Sequence, residues 1–103
     1  MKTARSISIA FSNAIAQAQK LENNAEQMRA SKRQLDSIKA SLRAEWEGES
    51  ASLYLQKCEL LGGKLEQTAR DLDQIASVIR RSAKTYRDAE MRALEAVRTK
   101  TLV

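Results

Sequence analysis

Apolar residues recur along both halves of the chain at the alternating four- and three-residue spacing of a helix that buries one stripe. In the first half the row runs Ile7, Phe11, Ala14, Ala18, Leu21, Ala25 and Met28, the seam of a heptad repeat. Beyond Met28 the strict register lands on Lys32 and Lys39, while apolar residues continue through Leu35, Ile38 and Leu42. The spacing predicts a slight drift of the stripe, as a straight helix drifts against a seven-residue repeat. In the second half Ala51, Tyr54, Cys58, Leu61, Leu65, Thr68, Leu72, Ile75, Ile79, Ser82, Tyr86 and Ala89 hold the spacing without a slip. The pattern predicts helix 1 over about residues 5–44, helix 2 over about residues 51–97 and a tail over 98–103.

Between the helices stands Glu45-Trp46-Glu47-Gly48-Glu49-Ser50. Gly48 suits the left-handed conformation that follows a helix C-terminus. Ser50 or Ser52 can cap the first free amides of helix 2. A turn this short, about residues 45–50, makes the helices antiparallel neighbours. With its centre near residue 47, Tyr86 falls opposite Ser8, and residues beyond about 90 overhang helix 1. The expected fold is all-α, one helical-hairpin domain over residues 1–103.

Each helix of a hairpin faces the other along one narrow strip only. Ile9, Ile15, Leu53, Leu60, Val78 and Leu94 lie off it. Pairing two hairpins into a four-helix bundle buries such residues, each contributing about 1.5–3 kcal/mol. A dimer is therefore expected. The core of the hairpin or of the dimer is assigned to Phe11, Leu21, Met28, Leu35, Leu42, Leu61, Leu65, Leu72, Ile75 and Ile79.

Composition strengthens the helical reading. The chain has 103 residues, no proline and 4% aromatics, with 43% hydrophobic and 30% charged residues. Helix formers dominate over β-branched residues. No apolar run approaches the ~20 residues that span a bilayer. Ser6, Ser8, Ser12 and Asn13 break up the apolar content of the first segment, which argues against a cleavable signal peptide. The net charge is +5 and the pI about 9.7; along the sequence the basic excess looks evenly spread, with no block of five like charges.

Candidate chemistry is sparse. There is no histidine, and Cys58 sits on the seam, where a free thiol is a small buried hydrophobe. No phosphate-binding glycine loop, metal-ligand cluster or nucleophile elbow appears, so neither catalysis nor a cofactor is expected. Gly62-Gly63 is an oddity inside helix 2, since each glycine costs about 1 kcal/mol relative to alanine there. It reads as a weak spot or local break, or as a place where another helix approaches.

Two motifs carry a family resemblance. Trp46-Glu47-Gly48 stands as Trp-x-Gly midway along the chain, and Tyr86-Arg87-Asp88-Ala89-Glu90 as Tyr-x-x-x-Glu near its end. With the length and the double-helix pattern, they make the chain resemble the WXG proteins, small helical-hairpin substrates of type VII secretion. The resemblance implies a four-helix dimer, synthesis in the bacterial cytoplasm, and export without a cleaved signal peptide. It implies recognition of Tyr86 and Glu90 as an export signal by a membrane ATPase of the secretion machine, and no catalysis. The partner is then a second copy or a related WXG-type chain. The basic charge departs from many acidic members and suits an escort for a larger acidic effector.

The residues allow plainer roles too. Trp46 can plug the end of the bundle or present a recognition edge with Gly48 at the turn. Tyr86 can pack in the core, and Glu90 can be a solvated carboxylate one turn along the same face. In an antiparallel dimer the turn of one subunit lies beside the open end of the other, so Trp46 and the partner's motif pair could share a surface. Two other classes compete: a basic helical nucleic-acid-binding protein and a cytosolic coiled-coil adaptor. Interleaved acidic residues and scarce aromatics argue against the first; a neighbouring gene for a membrane ATPase would separate the second.

Overall fold

The computed structural model describes the backbone of residues 2–102 and the side chains of residues 2–100. All regular structure among them is helical: α1 spans Ala4–Glu45 and α2 spans Glu49–Leu102. With no proline to interrupt it, each helix runs longer than its apolar row requires. In place of a tail, residues 98 onward continue α2 to Leu102, with Lys100 in the last turn, where a cation complements the exposed carbonyls. Val103 lies outside the described residues.

Both helix starts are capped, though not as the sequence suggests. At α1, Ser6 N donates to Thr3 Oγ1 at 3.1 Å and Thr3 N donates to Ser6 Oγ at 2.9 Å, a reciprocal box that satisfies two orphan amides. At α2, Ser50 and Ser52 lie inside the helix. Gly48 takes the flanking position: its carbonyl accepts from Ser52 N at 3.2 Å, and Glu49 supplies the first-turn acid. Gly48 has φ of 105°, the region glycine occupies without penalty. Trp46 N still donates to Leu42 O at 2.8 Å, closing the last turn of α1.

The chain resolves into two compact units: one is Met1–Leu21 with Gln74–Val103, the other Glu22–Asp73. In the second unit α1 and α2 pair antiparallel from the turn. Arg43 Nη2 reaches Glu59 Oε1 at 3.8 Å, and Arg29 bonds Asp73. In the first unit the start of α1 pairs with the end of α2 through Lys2–Glu90 and through Arg87, whose guanidinium lies 4.2 Å from the Phe11 ring centroid. Phe11 thus lies beside the turn of α2 that carries Tyr86. Ala93, Leu94 and Val97 still share a small hollow with Lys2 and Ile7, so coverage of α2 extends past residue 90.

What faces the partner helix differs from the sequence expectation in two respects. On α1 the register does not drift: Ile38 is 50% exposed, while the side chains of Lys32 and Lys39 are only 34% and 15% exposed. Their aliphatic stems pack inward and their ammonium groups turn back to Asp36, both at 3.4 Å. On α2 the inward rows are Ala51, Cys58, Leu65, Leu72 and Ile79 and, alongside, Gly62, Ala69, Ala76 and Ala83. Tyr54, Leu61 and Ile75 face out, each 50% exposed. Small residues at every seventh position let the helix backbones approach closely, so they win the interface. The buried hydrophobic residues are accordingly small, Ile7 at 1% exposure being the one large exception below 2%.

The fold also gathers the charge. The unit Met1–Leu21 with Gln74–Val103 holds ten Lys or Arg and three Asp or Glu, a net +7. The unit Glu22–Asp73 holds eight against ten, a net −2. The even spread seen along the sequence ends when an acid-free stretch, residues 1–21, packs beside a basic one.

Candidate functional site

The turn motif belongs to the second unit. α1 ends at Glu45, so Trp46 leaves the helix where no partner backbone covers it, and its side chain is 51% exposed. Tyr54, itself 50% exposed, meets it edge to face, with ring centroids 6.0 Å apart and planes at 64°. This geometry suits the ring quadrupoles and sets the indole against α2. Gly48 is exposed, and a Cβ there would meet nothing within 4 Å. Its requirement is conformational. With half its surface wet, Trp46 does not plug a core within one chain, and the two aromatics form an edge with Glu45, Glu47 and Glu49 around it.

The second motif belongs to the first unit. Tyr86 is 37% exposed and the Glu90 side chain 31%. One residue holds both: Lys2 Nζ donates to Glu90 Oε1 at 2.9 Å and sits 4.7 Å from the Tyr86 ring centroid. Glu90 first, and Tyr86 second, hold the Lys2 ammonium above the usual lysine range. This clasp ties the start of α1 to α2 at the place where the overhang was expected to begin. Lys2 carried no pattern in the sequence that could have revealed it, because its role depends on bringing the start of α1 to the end of α2.

The assigned core residues divide. Phe11, Leu21, Met28, Leu35, Leu42, Leu65, Leu72 and Ile79 are half-buried against the partner helix. Leu61 and Ile75 point outward and have no place in the hairpin core. The inward row Gly62, Ala69, Ala76 and Ala83 was missed, although its exact seven-residue spacing is visible in the sequence. Gly62 is buried inside an unbroken helix; a Cβ there would lie 3.8 Å from Leu35 Cδ2, an ordinary contact, whereas one at Gly63 would meet nothing within 4 Å. The pair is thus neither a break nor a forced approach within the chain.

Among the described residues, no group of three or more His, Cys, Asp or Glu could hold a metal ion, and no helix is long and apolar enough to cross a membrane. Cys58 is buried and free. Comparison with curated proteins gives no match, and neither does comparison with solved structures. A family model does match, over residues 6–91, which takes in most of both helices, the Trp-x-Gly turn and the Tyr-x-x-x-Glu pair. The chain therefore belongs to the WXG100 family, proteins of 100 residues with WXG.

Proposed function

We propose that the chain is a non-catalytic substrate of a type VII secretion system, or the escort of one, which acts by binding proteins after pairing with a second hairpin. Family membership supports the secretion role. The observation that carries the pairing is the outward row of α2. Leu53, Tyr54, Leu60, Leu61 and Ile75 are 50–67% exposed, while six of the nine inward positions of α2 are Ala, Gly or Cys. Burying the exposed part of each large aliphatic side chain contributes on the order of 1 kcal/mol, and several per chain favour association. A second copy or a related WXG chain supplies the matching face. In this reading Trp46 and Gly48 form a recognition edge, and Tyr86 and Glu90 are read by a membrane ATPase of the secretion machine. The protein is made in the bacterial cytoplasm and exported without a cleaved signal peptide, with no cofactor involved.

The test combines a measurement on the purified chain with one in the native host. Light scattering on the purified chain, alone and with its co-expressed neighbour, is expected to give a dimer of one kind or the other. Glu90→Gln is expected to accumulate in cells with an unchanged melt. A compact monomer under both conditions removes the pairing, and normal export of Glu90→Gln together with Tyr86→Ala removes the signal.

A further inference from the structure

The unit built from Met1–Leu21 and Gln74–Val103 carries an apolar groove that nothing in the chain fills. Ala10, Ala14, Val78, Ile79, Ser82 and Tyr86 line it, around a volume of about 330 Å³. A neighbouring hollow of about 460 Å³ shares Val78, Ser82 and Tyr86 and adds Arg81 and Thr85. The groove is lined by small and apolar side chains with no charge of either sign. The charge belongs to the unit that holds it. Of the three carboxylates in this unit, Asp88 is bonded to Arg87, Glu90 to Lys2 and Glu95 to Arg98. A surplus of +7 remains, and exposed Arg81 and Arg92 stand eleven residues apart on one helical face.

We propose that this groove docks an acidic amphipathic helix of a different chain, its apolar stripe seated on Ala14, Val78 and Ser82 and its carboxylates meeting Arg81, Arg92 and the surrounding cations. The inference rests on the reading that the hairpin acts by binding helices, and it names the charge of the helix. An apolar groove between helices takes a third helix through its alternating apolar anchors. Complementary charge at the rim then chooses among helices that would all fit sterically. A second copy is the poorer occupant. Its own equivalent unit brings +7 against +7, and its other unit offers only −2. Nucleic acid needs stacking faces or an uninterrupted cationic track, and of the two aromatics that line the groove, Phe11 lies under Arg87 and Tyr86 under Lys2.

The experiment titrates the isotope-labelled full chain with a synthetic amphipathic helix of about 20 residues, leucine on one face and glutamate on its flanks. A second peptide has every glutamate replaced by glutamine. The expected result is saturable shifts at Ala10, Ala14, Val78 and Ser82. Binding is expected to be at least about tenfold weaker for the glutamine peptide, and to weaken similarly between about 50 and 300 mM salt. Arg81→Glu with Arg92→Glu, both exposed, should lose the preference while retaining the wild-type melt; Lys57→Glu in the other unit should not. Equal binding of the two peptides at the groove overturns charge selection and leaves helix docking standing. Shifts elsewhere, or none with either peptide, overturn the docking site itself. Tighter binding to phosphatidylglycerol vesicles or to a DNA duplex than to the glutamate peptide overturns the proposal in favour of an anionic surface or phosphates.

Discussion

Replacing Gly63 by alanine adds a methyl group where nothing lies within 4 Å, inside a helix that runs unbroken from Glu49 to Leu102. Glycine in a helix interior costs about 1 kcal/mol relative to alanine, through the backbone freedom it gives up on folding. No contact offsets that cost at Gly63, so Gly63→Ala is expected to stabilise the chain by ~0.5–1 kcal/mol. At Gly62 the new methyl would lie 3.8 Å from Leu35 Cδ2 and 4.0 Å from Lys32. It gains the same backbone term, plus partial burial of one methyl, for a total of about 1–1.5 kcal/mol. In a chain of this size each kcal/mol raises the melting temperature by about 4–8 °C. Thermal melts by far-ultraviolet circular dichroism, at one fixed protein concentration because association shifts the midpoint, measure both variants. A lowered midpoint for Gly63→Ala would refute the reasoning, and would mean that a second chain approaches that face too closely for a methyl group.

Gly48→Ala is expected to cost ~1–3 kcal/mol through backbone strain alone, since φ is 105° and the site is open; urea denaturation measures it, and an unchanged midpoint would mean the turn relaxes. Ala76→Leu, at 0% exposure, should cost about 1–3 kcal/mol or more by forcing the helices apart, whereas Ala89→Leu on the outer face should leave the melt within ~0.5 kcal/mol. Trp46→Ala removes a half-exposed indole and should cost roughly 1–2 kcal/mol while impairing export; a loss above about 4 kcal/mol would restore the buried plug. Acid titration tests Asp36. Burial pushes its carboxyl up, but Lys32 and then Lys39 outweigh that and leave it below the usual range. Its small contribution is therefore present above the unfolded value of ~3.9 and is lost as pH falls through the lower folded one. Asp36→Asn should flatten that part of the pH–stability curve.

The sequence alone determined the helices, the turn and the family motifs. Heptad spacing without proline leaves a helix as the one regular structure that puts Ile7, Phe11, Ala14 and Ala18 on a single side. Trp46-Glu47-Gly48 is the one place where glycine and a lapse in the apolar row coincide. Both signals are local, so they survive in a one-dimensional reading.

Only the tertiary structure decided which rows meet. On α2 the row Ala51–Cys58–Leu65–Leu72–Ile79 has a neighbouring row on either side: Tyr54–Leu61–Ile75, and Gly62–Ala69–Ala76–Ala83. Hydrophobicity favours the first; close backbone approach favours the second, and the second won. On α1 the same closeness kept the register through Lys32 and Lys39, whose long stems can pack while their ammonium groups reach Asp36. Lys2 at Glu90 and Tyr86, and the gathering of +7 in one unit, depend on bringing together residues more than fifty positions apart. Periodicity reports the angle around one helix, and these contacts are set by how the ends of the chain meet.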